Sequence, residues 1–323
     1  MTTEIYPQLN SSKINEFEKL NQKLDQKWLI NSIIKPELPR ILETLSNCLN
    51  IITSNDDMKL PITTNRNDHI KGIIVRNSSD IIELNVDIYL KSLNKRFKLQ
   101  SKSSFEICQI NELISMITKT MIEVHLLIQN FEDDQINNID DFIKNLNNIR
   151  QILIDINENI DKPKESLSFP KHSISLNDNF IVDFKPHKID DFLALDVYIL
   201  KSHIVIEIIS FEKIKQDPWN KIDFKTGKSY IENLRKDISE NKKSLNFIID
   251  QDKKSIGHYI GLQKYTGLDY FKRGITFNNK VIIITEKIEI QCQDPYLLVI
   301  STKLNSLEHL ISRMCENLNK TLS

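Results

Sequence analysis

At 323 residues, 40% hydrophobic and 27% charged, the chain can bury one large core or two smaller ones, which excludes a disordered composition. Its 43 Lys and Arg against 44 Asp and Glu leave a net charge of -1, so no overall basic field recruits nucleic acid and none is expected as a partner. No apolar run approaches the roughly 20 residues that span a bilayer, and the opening MTTEIYPQLN lacks the charged and apolar regions of a signal peptide, so the expectation is a cytoplasmic protein with no transmembrane segment.

Residues 14–54 read as helical, with a break near Lys35 where Pro36 and Pro39 are tolerated only as the first turn of a new helix. Beyond the break, Leu38, Ile41, Leu45, Cys48 and Ile52 form an apolar seam. The polar stretch 55–69, with Asp56, Asp57, Pro61 and Asn67, reads as a loop. The period then drops to two: Leu84, Val86, Ile88 and Leu90 alternate with Glu83, Asn85, Asp87 and Tyr89, the pattern of a half-buried strand. Ile70 to Arg76, joined through Asn77-Ser78-Ser79-Asp80, completes a hairpin.

Helical seams return at Ile107, Ile110, Ile114, Ile117, Met121, Val124 and Ile128, and again at Ile139, Phe142, Leu146, Ile149, Leu153, Ile156 and Ile160. The short acidic link Glu132-Asp133-Asp134 makes these two helices antiparallel neighbours. Pro163 and Pro170 mark a crossing segment, after which strand patterns appear at Phe180, Val182 and Phe184, at Leu193 to Ile199, and at Ile204 to Ile208, with a turn at Lys201-Ser202-His203. A lysine-rich stretch at about 212–265 lacks apolar periodicity and predicts a polar insertion dispensable for folding. Val281 to Ile290 is a further strand. Asp294-Pro295 then supplies a cap and a first-turn proline for a last helix, whose seam is Leu297, Ile300, Leu304, Leu307, Ile311, Met314 and Leu318.

An average step of 3.5 residues holds one side of a helix against a partner over many turns. The expected fold is therefore α+β: an antiparallel, four-helix-type bundle domain of residues 14–54, 105–160 and 294–323, and an antiparallel β domain of residues 55–104 and 170–293, with the chain crossing between them. A bundle helix of about 25 residues is roughly 38 Å long, so an elongated molecule is expected.

Chemistry-bearing patterns are sparse. Cys48, Cys108, Cys292 and Cys315 are scattered as buried apolar groups would be, and the seven histidines have no metal-ligand spacing. Thr226-Gly227-Lys228-Ser229 resembles the tail of a phosphate loop, but the glycine needed five positions before Gly227 is Ile222. No catalytic residue, cofactor or metal is expected. Two features are candidate partner contacts: Trp219 beside Pro218 in the polar insertion, where the alternative is a side chain folded back onto the β domain, and the basic run with Lys95, Arg96 and Lys98, where the alternative is a solvated strand face or guarded edge.

The order of an N-terminal helix, Ile70-Lys71-Gly72-Ile73-Ile74, Asn85-Val86-Asp87-Ile88-Tyr89-Leu90, a helical hairpin, Asp191-Phe192-Leu193-Ala194-Leu195-Asp196-Val197-Tyr198-Ile199 and a leucine-rich C-terminal helix resembles the Rogdi leucine-zipper family. The resemblance covers roughly 24–160, 170–211 and 270–322. It implies a non-enzymatic assembly factor, the small subunit of the RAVE complex, with a large WD-repeat propeller subunit as direct partner. Through that complex it implies action on the peripheral sector of the H+-ATPase of vacuolar and endosomal membranes, promoting its reassembly with the membrane sector, and a peripheral membrane association through partners. A homodimeric coiled-coil scaffold, with the seams lying between two copies, is the rival reading.

Overall fold

The computed structural model describes residues 11–63, 70–131, 139–161, 174–182, 189–242, 244–246, 248 and 264–321. The expected acidic link at 132–134, the prolines at 163 and 170, and Phe184 lie outside them. The chain combines helices with antiparallel sheets, an α+β protein.

Helix α1 (Ser11–Leu29) continues through a π-helical turn, Ile30–Ile34, into α2 (Lys35–Ile52). In place of the expected break near Lys35 the helical run is continuous, with Pro36 at the start of α2 and Pro39 inside it. A proline ring in a helix meets the carbonyl four residues back, and a wider turn ahead of Pro36, with the Lys35 N–H bonded to the Ile30 carbonyl, accommodates it.

The first sheet has the order β1-β2-β3-β4-β6, with β5 paired to the start of β3; the strands are β1 (Met58–Thr63), β2 (Ile70–Asn77), β3 (Asp80–Leu90), β4 (Lys95–Ser101), β5 (Phe105–Glu106) and β6 (Phe180–Val182). Strand β1 occupies ground that reads in sequence as loop. Its Leu60 and Ile62 are buried, and Pro61 is tolerated because β1 is the edge, where a missing donor need not face a neighbour. The β2–β3 hairpin forms as expected about Ser78 and Ser79. Gly72 in it is required: a Cβ there would lie 2.1 Å from the Asn85 carbonyl oxygen and 2.8 Å from the Val86 Cα.

The second sheet has the order β7-β8-β10-β9, built from β7 (Leu193–Leu200), β8 (His203–Lys213), β9 (Gly274–Phe277) and β10 (Lys280–Gln293). Strand β10 leads straight into the last helix.

Four long helices close a ring. Helix α2 packs against α3 (Cys108–Asn130) and against the last helix, α8 (Pro295–Lys320), while α4 (Ile139–Asp161) packs against the same two. The α2 and α8 seams are buried at every position predicted, as is the α4 seam from Phe142 onwards. The α3 seam is displaced: its buried positions are Ile110, Leu113, Ile117, Thr120, Val124 and Leu127, with Ile114, Met121 and Ile128 only partly buried. Thr120 hides the true register, since its hydroxyl satisfies itself on the Met116 carbonyl at 2.8 Å and can then be buried. All four seams are thus buried within one chain and do not lie between two copies.

One core runs from these helices into both sheets. Polar fasteners cross it at defined points. The Gln109 side chain on α3 accepts from the Ile199 N–H of β7 at 2.6 Å and donates to the Ile199 carbonyl at 3.1 Å, completing the strand's backbone bonds as a neighbouring peptide would. Glu286 on β10 accepts from the backbone N–H of Ser92 at 2.8 Å and of Lys91 at 3.3 Å, anchoring the β3–β4 turn.

The expected polar insertion is a folded satellite over its described part. Ile214, Trp219, Ile231, Leu234 and Ile248 bury themselves with Tyr270, Val281 and Ile283. After the short helix α5 (Leu176–Asn179) that precedes β6, helices α6 (Tyr230–Ser239) and α7 (Gly267–Arg273) carry the satellite, each starting with a capping box, Ser229 with Glu232 and Thr266 with Asp269. The stretch hides this in sequence because its few apolar residues are spread over two short helices and an irregular approach to them, so no single period accumulates.

Candidate interaction surface

Trp219 is 2% exposed, its ring 5.6 Å from Tyr230 in a T-shaped contact and 5.8 Å from Tyr270. It is a core residue of the satellite, and the expectation of a partner contact gives way to a side chain folded back onto the second sheet.

Lys95, Arg96 and Lys98 lie along β4 and are exposed, while the intervening Phe97 and Leu99 point into the core. Strand β6 pairs only with Leu99 to Ser101, so Lys95 to Lys98 flank the open part of that edge. Asp87 on β3 sits opposite Lys98 and within 4.0 Å of Arg96, and with side chains 58% and 47% exposed the Arg96–Asp87 pair contributes little to stability.

The phosphate-loop resemblance dissolves in the structure. Asp223 occupies the centre of the turn, accepting from the Lys225 N–H and the Thr226 hydroxyl, both at 2.9 Å, and these bonds hold its carboxyl below the usual range. The Gly227 N–H is bonded to the Asp223 carbonyl, and the Ser229 N–H to the Glu232 carboxylate. The donors a phosphate would need are already engaged, three of them by carboxylates.

Among the described residues, no group of three His, Cys, Asp or Glu side chains is placed to hold a metal, and no helix is long and apolar enough to cross a membrane. Burial pushes the Cys48 and Cys292 thiols up to about 11 and raises that of Cys315. Only Cys108 is exposed.

What the surface does offer is apolar area on the helices. A groove of ≈ 620 Å³ between α2 and α3 is lined by Pro39, Leu42, Leu49, Met121, Ile122 and Leu126, the last two exposed. A second, of ≈ 560 Å³, lies where the end of α2 meets the start of α8, between Ile51, Tyr296 and Val299. Helix α1 exposes Ile14, Phe17, Leu20, Leu24 and Trp28. The sequence reading singles out nothing before Leu38, although the signal is there in steps of three and four residues: it is eclipsed by the stronger seam that follows on the same helical run.

Comparison with known proteins follows the same layout. A protein of Saccharomyces cerevisiae named regulator of V-ATPase in vacuolar membrane protein 2 is 23% identical over 335 aligned positions, covering 95% of this chain and 94% of that protein. Its namesake in Schizosaccharomyces pombe is 28% identical over 89 residues, 28% of this chain and 31% of that protein. A family model described as Rogdi leucine zipper containing protein matches residues 25–319, from the last residues of α1 to the end of α8, and the chain belongs to that family.

Proposed function

We propose that this chain is a regulatory subunit, with no catalytic activity of its own, acting on the proton-pumping ATPase of vacuolar and endosomal membranes. The observation that carries the reading is the end-to-end similarity to a relative named as a V-ATPase regulator, which embraces helices and sheets alike and not one borrowed module. In detail, the chain acts as the small subunit of a RAVE-type complex, binds a large WD-repeat propeller subunit, and through it promotes rejoining of the pump's peripheral and membrane sectors. It is cytoplasmic and reaches the membrane peripherally, through its partners.

The ring of four helices serves as the antiparallel four-helix-type bundle of a domain spanning residues 14–54, 105–160 and 294–323, in which α1 stands outside the ring, beside a β domain of residues 55–104 and 170–293. The apolar grooves along α2 offer contact area for a large partner. Lys95, Arg96 and Lys98 form a basic rim suited to an acidic partner surface.

Cells lacking the protein test the proposal. The two sectors are expected to be made but poorly joined, and vacuoles to re-acidify slowly when the pump must reassemble after its sectors have separated. Normal sector association and normal vacuolar pH under that challenge would overturn the reading, as would purification of the tagged chain with no propeller-containing protein.

A further inference from the structure

Helix α1 exposes Ile14, Phe17, Leu20, Leu24 and Trp28 by 41, 55, 54, 55 and 62%. Its buried residue Gln26, like Ile30 in the turn beyond, lies on the other side: at about 100° per residue both fall roughly opposite Phe17 and Leu24. The helix therefore touches the body with one face and turns an apolar stripe away from it. Among the described residues nothing buries that stripe, and the helix's main packing is to the π-helical turn that continues it.

The stripe has the grammar of a two-stranded coil. With Ile14, Asn21 and Trp28 at a positions and Phe17 and Leu24 at d positions, the g positions are Lys13, Leu20 and Lys27, and the e positions include Glu18 and Asp25. We propose that α1 of two copies pair in parallel along this stripe, so that the protein is a homodimer through an interface separate from the four-helix ring. In a parallel pair each g residue meets the e residue five positions on in the other copy, so Lys13 of each faces Glu18 of the other. An antiparallel pair would set g against g and e against e, lysine on lysine and carboxylate on carboxylate. Asn21 at an a position is the second mark, since paired amides there satisfy each other only when the two helices are parallel and in register.

A lipid surface fits α1 less well. Lys13, Lys19, Lys23 and Lys27 are nearly balanced by Glu16, Glu18 and Asp25, whereas helices that lie on anionic membranes carry a strongly basic polar face. Because 19 residues make fewer than three heptads, the association is a weak one that depends on concentration and leaves α1 available at high dilution.

Sedimentation equilibrium of the full chain from about 1 to about 100 µM tests this. The mass is expected to rise from 37.8 kDa towards twice that value. Leu24→Asp, on an exposed face, should keep the protein monomeric throughout while leaving its melting curve unchanged. Lys13→Glu should weaken the dimer about tenfold, a cost of about 1.4 kcal/mol, and adding Glu18→Lys should restore it, which general stickiness would not do. Asn21→Cys in a Cys108→Ser background should form a disulfide-linked dimer on mild oxidation. A monomer at every concentration, a dimer indifferent to Leu24→Asp, or a monomer that binds phosphatidylserine vesicles through α1 overturns the proposal.

Discussion

Arg76 and Asp294 stand 218 positions apart and meet at 2.7 Å with side chains 2% and 0% exposed. The same aspartate caps α8, its other oxygen accepting from the N–H of Tyr296 at 2.9 Å and of Leu297 at 3.1 Å. One residue thus ties the β2–β3 hairpin to the start of the last helix. Removing one partner leaves a buried charge uncompensated, so Arg76→Ala is expected to cost about 3–5 kcal/mol, measured by urea unfolding. Asp294→Asn keeps a capping oxygen but loses the charge, and the two changes combined should cost clearly less than their sum; simple additivity would show that the pair is not coupled. Half of this junction is visible in sequence, because Asp294-Pro295 announces a helix start. The arginine is not, since nothing local distinguishes Arg76 from any other basic residue in a strand. The cysteines make a second residue-scale prediction: at about pH 8 a thiol reagent should modify Cys108 in the native chain and reach Cys48, Cys292 and Cys315 only on unfolding, because burial holds those thiols protonated and out of contact. Reaction of more than one thiol before unfolding would contradict the packing of the seams.

Elements are specified by how consistently a single period is written. The α8 seam is apolar at each step, and Leu307 falls inside the ring with Leu304 and Ile311. Leu307→Asp would bury an unpaired carboxylate and consume much of a typical stability of about 5–15 kcal/mol. Little soluble protein is the expected outcome, and a cooperative melt within a few degrees of the parent would refute the placement. Where a polar residue interrupts the period, the register is misread: Thr120 is buried on α3 and displaces the seam from the one its isoleucines suggest. Strand β1 shows the converse case. Met58, Leu60 and Ile62 do alternate, but Pro61 and the flanking aspartates outweigh a three-residue pattern until the β2 edge supplies a partner.

For the whole molecule, a continuous core from the helices through both sheets predicts that folding is not divided between them. The chain has two tryptophans, Trp28 at 62% exposure and Trp219 at 2%. In a Trp28→Phe background, Trp219 fluorescence reports the satellite on the second sheet, while circular dichroism at the helical band reports the ring. Urea unfolding followed by the two probes should give coincident transitions. Two separated steps would mean that the satellite on the second sheet unfolds apart from the helical ring. Deleting residues 214–242 removes Trp219, Ile231 and Leu234 from Val281 and Ile283 of β10, so the deletion is expected to lower stability, whereas a dispensable loop would leave it unchanged.

By itself the sequence determined the long helices, the hairpin, strands β7, β8 and β10 and the α+β class, because each of these is written as a local period of hydrophobicity that neighbouring residues repeat. It also carried the family resemblance, which rests on the order of those elements and on positions such as Gly72 that tolerate no side chain. Only the tertiary structure decided which faces are spent inside the chain and which are left over. Trp219 moved from the surface to a core, the seams closed on one another, and the α1 stripe remained outside. The physical reason is that burial depends on what distant segments bring to a face, as β10 brings Val281 and Ile283 to Trp219, and an amphipathic pattern reads the same whether its partner is in the same chain or in another.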